Sequence, residues 1–150
     1  MVICAYDPFL AQVSPVWKQP YPVRQMDLAT LLAECDMISL HVPGTSETKG
    51  MIGRDAIARM KSDAILVNAA RGGVVDDAAL VEALRAGRLG GAAIDVFTPE
   101  PLTAERGAMF SGCPRLILTP HVAGVSIESN TRVSRLIAEK IHAHLSGGGR

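Results

Sequence analysis

Residues 64–73 read AILVNAARGG, and the fold class follows from this stretch and its neighbours. Its first part, residues 64–67, is an apolar run that is too short for a buried helix and contains the β-branched Ile65 and Val67. A polar, glycine-containing turn follows at once. A short run that is apolar on both faces is typical of a parallel strand that helices cover on both sides. The stretch therefore predicts a buried parallel strand whose carboxyl end opens into a turn.

Four more runs of this kind lie on either side of the first, at residues 2–6, 37–42, 92–96 and 116–119. Segments in which apolar residues recur at helical spacing alternate with these runs. Strands that alternate with helices of this length predict an α/β fold, with a doubly wound, mostly parallel sheet and flanking helices.

The predicted helices have recognisable ends or apolar stripes. Asp27 is expected to cap the first helix, and Asp76 or Asp77 is expected to cap a later one that Gly87 ends. A weaker helix carries Ile57 and Met60, and a long final helix covers about residues 126–145. The other side chains expected to face inward are Leu28, Leu31, Leu32, Cys35, Leu80, Val81, Leu84, Val133, Leu136, Ile137 and Ile141.

Two stretches interrupt the alternation of strands and helices. Residues 8–24, which include four prolines, and residues 98–114 are predicted to be long irregular connections with functional roles. Residues 147–150 read GGGR and are predicted to be a flexible tail, which leaves one domain over residues 1–146.

Composition excludes several classes of protein. The chain of 150 residues has the size of one domain, and its 15 Lys and Arg balance its 15 Asp and Glu, so nothing indicates a nucleic-acid or membrane partner. No apolar run approaches the ~20 residues of a membrane span, and we expect a soluble cytoplasmic protein.

Cys4, Cys35 and Cys113 match no disulfide framework or zinc motif, and are most simply small buried side chains in a reducing compartment. His142 and His144 point to different faces of a helix, so no metal site is expected.

Ligands of open parallel sheets bind beyond the carboxyl ends of the strands. The residues that follow the predicted strands are polar or bend the chain. These residues are Asp7, residues 41–45 (HVPGT), residues 68–73 (NAARGG), Asp95 and residues 119–121 (TPH). One cleft would therefore collect an acid, an arginine, a histidine and exposed backbone.

Asp7 and Arg71 each allow two interpretations. An acid after the first strand can accept hydrogen bonds from both ribose hydroxyls of an adenine dinucleotide, but Asp7 can equally be a turn former before Pro8. The guanidinium of Arg71 can bind a carboxylate through two parallel hydrogen bonds. Alternatively, Arg71 is a surface residue that caps a helix or pairs with a nearby aspartate.

His121 is the candidate acid or base. It lies in a stiff loop between Pro120 and a turn, and an imidazole with a pKa near ~6.5 can exchange a proton at neutral pH. Glu100 is the carboxylate that we expect to hold its other ring nitrogen. A structural histidine in a loop is the alternative. No serine or cysteine has a neighbouring base at a recognisable spacing, so nucleophilic catalysis has no support.

Seven strings together resemble the D-isomer-specific 2-hydroxyacid dehydrogenases, in the family's order and over nearly the whole chain. They are VICAYDP (2–8), DMISLHVPGT (36–45), ETKGMIG (47–53), MKSDAILVNAARGGVVD (60–76), ALVEALRAG (79–87), AIDVFTPEP (93–101) and TPHVAG (119–124).

The resemblance implies an NAD-dependent oxidoreductase that transfers a hydride between the nicotinamide and a small 2-hydroxy or 2-keto acid. It implies that Arg71 binds the substrate carboxylate, that His121 is the acid/base, and that Glu100 orients this histidine. Asp95 would bond the nicotinamide carboxamide and Asp7 the adenosine ribose. The other residues implied to contact NAD are His41, Val42, Pro43, Thr48, Ala69, Ala70, Ala123 and Gly124. A homodimer is implied as well.

The chain also departs from the family's pattern. It has no G-x-G-x-x-G turn and no separate substrate domain, and Gly44 replaces a larger apolar residue that is often seen after HVP. We therefore expect an incomplete Rossmann-like fold, a partial NAD-binding domain over residues 1–146, and negligible activity of the chain alone because the pyrophosphate lacks its bed of amides. The alternatives are a noncatalytic NAD-responsive binding module and a subunit that another chain completes.

Overall fold

A computed structural model describes residues 1–9 and 23–146. Residues 10–22 of the first predicted connection and the predicted tail at 147–150 lie outside the described residues. The strands are β1 (Ile3–Ala5), β2 (Val23–Gln25), β3 (Met37–Leu40), β4 (Ile65–Asn68), β5 (Gly91–Ile94) and β6 (Leu116–Leu118). The helices are α1 (Leu28–Glu34), α2 (Arg54–Arg59), α3 (Asp77–Arg85), α4 (Ala104–Gly107) and α5 (Ile127–Ser146), and a 3-10 turn covers Ala108–Phe110.

The strands form two parallel sheets. The larger sheet has the order β3-β4-β5-β6, and the smaller one pairs β1 with β2. The α/β class, the parallel pairing and the flanking helices agree with the prediction, and the five predicted strands are found within about two residues of their expected bounds. All four strands of the larger sheet point the same way, so their carboxyl ends lie along one edge, which we call the carboxyl edge.

Capping residues explain where the helices begin. The Asp27 carboxylate accepts a hydrogen bond from the Thr30 amide at 2.9 Å, and the Asp76 carboxylate accepts hydrogen bonds from the amides of Ala78 and Ala79. Gly87 follows α3 with a φ of +68°, a left-handed conformation that glycine adopts without strain. These ends were predicted from the sequence, with Asp76 rather than Asp77 as the cap.

The hydrophobic core lies on one face of the larger sheet. Alternate strand residues such as Ile38, Leu66 and Ile94 are buried there against α1, α2 and α3, whose most buried side chains include Leu80 and Leu84. The sequence predicted that helices cover both faces of the sheet, but no described helix covers the opposite face. The large apolar side chains exposed on it are Met37, Ile65 and Ile117.

Three other expectations need correction. Residues 8–24 are not irregular to their end, because Val23–Gln25 forms β2 beside β1. The 98–114 connection contains α4 and the 3-10 turn, and Phe110 of that turn is buried against Phe97. The final helix forms, but its apolar side chains do not face inward. Val133, Leu136, Ile137 and Ile141 are 48–55% exposed, and α5 has no buried residue because no described element covers it.

No helix within residues 1–9 and 23–146 combines the length and the apolar character that crossing a bilayer requires.

The contrast between α3 and α5 gives a stability prediction. Leu80→Ala, at a side chain with no exposure, is expected to lower the free energy of unfolding by about 2–5 kcal/mol because it leaves a cavity. Leu136→Ala, on the exposed stripe of α5, is expected to change it by no more than about 0.5 kcal/mol. Urea denaturation followed by circular dichroism measures both. A loss of similar size in the two variants would show that α5 is packed in solution.

Candidate active site

The carboxyl edge brings several predicted site residues together. The turn after β4 carries Arg71, the loop after β5 carries Asp95 and Glu100, and the loop after β6 carries His121. We call residues 119–124 the TPHVAG loop. The strand order makes β4, β5 and β6 neighbours, so these three connections lie side by side along the edge.

Asp95 anchors the TPHVAG loop. Its side chain is 5% exposed, and its Oδ1 accepts hydrogen bonds from the Thr119 hydroxyl and, at 2.9 Å, from the Val122 amide. Its Oδ2 accepts a hydrogen bond from the Ala123 amide at 3.0 Å. Both oxygens of one buried carboxylate therefore hold the loop that carries His121 against the end of β5.

These hydrogen bonds also decide the ionisation of Asp95. Burial alone would raise the pKa of this carboxyl, but the Thr119 hydroxyl and the Ala123 and Val122 amides all favour the charged form and hold the pKa below its ordinary value. The loop is thus tied to a carboxylate that stays ionised at neutral pH.

His121 and Glu100 form the pair that the sequence predicted. The His121 Nδ1 lies 2.8 Å from the Glu100 Oε2, and the other carboxylate oxygen of Glu100 accepts a hydrogen bond from the Phe97 amide at 2.8 Å. The Phe97 amide and His121 together hold the pKa of Glu100 below its ordinary value. A carboxylate bound at Nδ1 orients the ring and leaves Nε2 to exchange a proton, because the two nitrogens point in different directions.

The backbone of His121 is unusual, with a φ of +56°. A residue other than glycine in this left-handed region is uncommon, and histidine is among the side chains that tolerate it best. The Asp95 anchor stabilises this conformation through the two amides that follow His121.

The turn after β4 displays Arg71 at the surface. Asn68, which is 1% exposed, donates a hydrogen bond from its side chain to the Arg71 carbonyl at 3.1 Å and accepts one from the Ala70 amide. The Arg71 Nη1 donates to the Ala70 carbonyl at 2.6 Å, so the guanidinium folds back over its own turn. The side chain is exposed, and the described contacts include no pair with Asp76 or Asp77.

Two glycines shape the surroundings of Arg71. A Cβ at Gly72 would meet the Phe97 carbonyl oxygen at 1.9 Å, so only glycine allows this turn to approach the loop after β5. A Cβ at Gly44 would lie 3.4 Å from the Arg71 Cγ, which is an ordinary contact. The loop after β3 therefore lies beside the arginine, and Gly44 has no side chain to cover that side of it.

The loop after β3 carries four of the predicted NAD contacts. The His41 ring hydrogen-bonds with the Ser39 hydroxyl at 2.9 Å, and the Thr48 hydroxyl donates to the Pro43 carbonyl at 2.6 Å. Val42 is half-buried against the core. Thr48 thus shapes the loop from within.

Asp7 forms a local turn. Its Oδ1 accepts a hydrogen bond from the Phe9 amide at 2.8 Å, as a turn former before Pro8 would. The predicted ribose contact stays a prediction. Asp7 follows β1 of the smaller sheet, whereas Ala69, Ala70, Ala123 and Gly124 belong to connections of the larger one.

The sequence reasoning missed residues that position the site. Asn68 and Thr119 were noticed only as polar residues at strand ends, yet both make side-chain hydrogen bonds that fix the turns. A polar side chain at the last position of an otherwise apolar strand is the signal that identifies Asn68, because a buried amide must find partners. Within the described ranges no three histidine, cysteine or acidic side chains lie close enough to hold a metal ion.

Comparison with protein families gives one match that covers most of the chain. The family model described as "D-isomer specific 2-hydroxyacid dehydrogenase, NAD binding domain" matches residues 1–123. This range contains β1 to β6 and ends within the TPHVAG loop, so α5 lies beyond it.

Individual relatives agree with this match and are longer. The chain is 44% identical over 145 residues to an (S)-sulfolactate dehydrogenase of Chromohalobacter salexigens, covering 97% of this chain and 46% of the relative. It is 43% identical over 141 residues to a D-3-phosphoglycerate dehydrogenase of Archaeoglobus fulgidus, covering 94% of this chain and 26% of that protein. The crystal structure of D-lactate dehydrogenase with NAD+ from Lactobacillus jensenii superposes with a TM-score of 0.82 at 33% identity, covering 99% of this chain and 46% of that one. The chain thus spans less than half the length of these proteins.

The Asp95 anchor predicts a loss of stability in Asp95→Asn. An asparagine presents an NH2 group where a second acceptor is needed, so we expect the free energy of unfolding at pH 7 to fall by about 1–3 kcal/mol. Urea denaturation measures this loss, and Asp63→Asn, at an exposed aspartate before β4, is the matched control.

The pH dependence of this loss has a definite sign. The folded pKa of Asp95 lies below the ordinary value of 3.8, so its contribution to stability is present above about pH 3.8 and is lost as the pH falls through the folded pKa. The difference between wild type and Asp95→Asn should therefore shrink on the acid side. A difference that is absent at pH 7, or that grows in acid, would contradict the anchor.

Proposed function

Because this chain belongs to the D-isomer specific 2-hydroxyacid dehydrogenase family and corresponds to its NAD-binding domain, we propose that the complete protein transfers a hydride between NAD and a small 2-hydroxy or 2-keto acid. The observation that carries the proposal is the 2.8 Å contact between His121 Nδ1 and Glu100 Oε2 at the carboxyl edge. This edge also presents Arg71, a cation suited to a carboxylate.

His121 is proposed to take the proton of the substrate hydroxyl during oxidation and to return it during reduction. Nε2 is the nitrogen available for this transfer, because Glu100 holds Nδ1. Glu100 stabilises the imidazolium that forms when the proton arrives, and the Phe97 amide keeps that carboxylate in place. NAD, when bound, would accept the hydride that leaves the carbon bearing this hydroxyl.

Arg71 is proposed to bind the substrate carboxylate. Its guanidinium is exposed and its only described hydrogen bond goes to the neighbouring Ala70 carbonyl, so the side chain can turn outward at the cost of one contact. Two parallel hydrogen bonds to a carboxylate would exceed that contact in strength, because both partners are charged. Asn68 keeps the backbone of the turn in place meanwhile.

NAD is proposed to lie along the carboxyl edge. Asp7 is the candidate for the adenosine ribose, and the loop after β3 is the candidate for the adenine side. Asp95 already accepts three hydrogen bonds within the protein, which supports a positioning role beside its proposed contact with the nicotinamide carboxamide. The remaining proposed contacts are His41, Val42, Pro43, Thr48, Ala69, Ala70, Arg71, His121, Ala123 and Gly124.

Two apolar surfaces of the chain are exposed, and we expect other residues of the complete protein to cover them. One is the apolar side of α5, whose side chains are about half exposed. α5 lies outside the range that the NAD-binding model matches, but the alignment with the sulfolactate dehydrogenase covers 97% of this chain. The open face of the larger sheet adds Met37, Ile65 and Ile117. We propose that the complete protein covers both surfaces and works as a cytoplasmic homodimer, and that the chain alone has negligible dehydrogenase activity.

The role of His121 gives the first test, in the complete protein. His121→Ala is expected to lower kcat by at least about 100-fold, because the proton has no acceptor, while the Kd for NAD changes little. Steady-state kinetics and calorimetric titration with NAD measure the two quantities. His144→Ala, on the exposed end of α5, is the control and should keep normal turnover. Near-normal kcat in His121→Ala would remove this residue from the mechanism.

The role of Asp7 gives the second test. In the complete protein, Asp7→Ser should reduce the preference for NAD over NADP, because a carboxylate repels a 2′-phosphate and a serine does not. The ratio of kcat/KM for the two coenzymes is the measurement, and Asp55→Ser, at an exposed aspartate of α2, is the control. An unchanged ratio in Asp7→Ser would show that Asp7 does not contact the coenzyme ribose and only forms its local turn.

A further inference from the structure

Residues 98–114, which the sequence predicted to have a functional role, carry Glu100 and, a few residues later, α4. Thr103 begins this helix, because its hydroxyl accepts a hydrogen bond from the Arg106 amide at 3.4 Å. The side chain of Arg106 reaches back along the chain, and its Nη1 donates a hydrogen bond to the Thr98 carbonyl at 2.9 Å. Arg106 thus closes a short loop that contains Glu100.

Thr98 lies where the connections after β4 and β5 meet. It follows Phe97 directly, and the Phe97 amide donates to the Glu100 carboxylate at 2.8 Å. On the other side, a Cβ at Gly73 would lie 3.4 Å from the Thr98 Oγ1, so Thr98 lies against the turn after β4. The hydrogen bond from Arg106 therefore holds a residue that adjoins both connections.

The hydrophobic core, rather than the exposed loop, fixes the backbone of Arg106. α4 runs directly into the 3-10 turn, whose Phe110 is buried in the core. Arg85 of α3 also holds this turn, because its Nη2 donates to the carbonyls of Met109 and Ser111 at 3.0 and 3.1 Å. Arg106 thus projects from a supported position toward a loop that has less support of its own.

Building on the proposed function, we propose that Arg106 is a positioning residue that acts through Thr98 to keep Glu100 in contact with His121. Thr98 and Glu100 are both exposed, so hydrogen bonds rather than burial hold their loop. A charged guanidinium makes a stronger hydrogen bond than a neutral donor does. Without this bond the Glu100 carboxylate leaves His121 more often, and fewer molecules are ready for proton transfer.

Amide hydrogen exchange at Phe97 tests the positioning in this chain and needs no turnover. Arg106→Met keeps an unbranched side chain but removes the donor. Because the Phe97 amide donates to Glu100, we expect it to exchange at least about tenfold faster in this variant. The Asp95 amide, which donates to the Asn68 carbonyl at 2.9 Å, should keep its rate. An unchanged rate at Phe97, or an equal rise at both amides, would overturn the proposal.

Kinetics of the complete protein test the consequence for the proposed reaction. Arg106→Met is expected to lower kcat about three- to tenfold, with little change in KM for the 2-hydroxy acid, because only the orientation of the proton-transfer pair is lost. Arg106→Lys keeps a charged donor and should recover most of kcat. Arg85→Met is the matched control, since it removes another exposed arginine that binds carbonyls of the same connection. It should keep its kcat, because Phe110 still holds the 3-10 turn.

The two measurements separate this proposal from the proposed function. Equal losses of kcat in Arg106→Met and Arg85→Met, or a rise in KM without a loss of kcat, would overturn the positioning role. Near-normal kcat in His121→Ala would refute the dehydrogenase mechanism instead, and exchange at Phe97 would still decide whether Arg106 holds the loop of Glu100.

Discussion

The carboxylate of Asp95 is the group on which the geometry of the candidate site depends. It is buried at the end of β5 and accepts hydrogen bonds from the Thr119 hydroxyl and from the amides of Val122 and Ala123. These bonds hold the TPHVAG loop in a course that includes the left-handed backbone of His121. The His121 side chain is 52% exposed, yet it still contacts Glu100, because the anchored loop positions it and no further element needs to pack over it.

Local signals explain why so much of the fold could be predicted. Short apolar runs identified five strands, and Asp27 and Asp76 identified helix starts, because strand burial and capping depend on residues close in sequence. The strand β2 has only three residues, two of them polar, and carries no such signal. The spacing on α5 predicted an amphipathic helix correctly but not the absence of a described partner for its apolar side, since that depends on residues distant in sequence or outside this chain.

In the candidate site, too, some features follow from local sequence and others depend on the folded chain. Arg71, Glu100 and His121 could be found because they follow strands and match a family's motifs, and the Glu100–His121 contact was predicted. The three bonds to Asp95 and the hydrogen bonds of Asn68 within its turn could not be predicted, because they depend on backbone amides whose directions appear only in the folded chain. The contact of Gly72 with the Phe97 carbonyl depends equally on the packing of two loops.

Amide hydrogen exchange at Val122 and Ala123 reports directly on whether Asp95 anchors the TPHVAG loop. These amides lie in an exposed loop, yet both donate to a buried carboxylate. We expect them to exchange far more slowly than the amide of Gly124 in the same loop, because exchange requires the Asp95 hydrogen bonds to open. Exchange of Val122 and Ala123 at the rate of an unstructured chain would show that Asp95 does not anchor the TPHVAG loop.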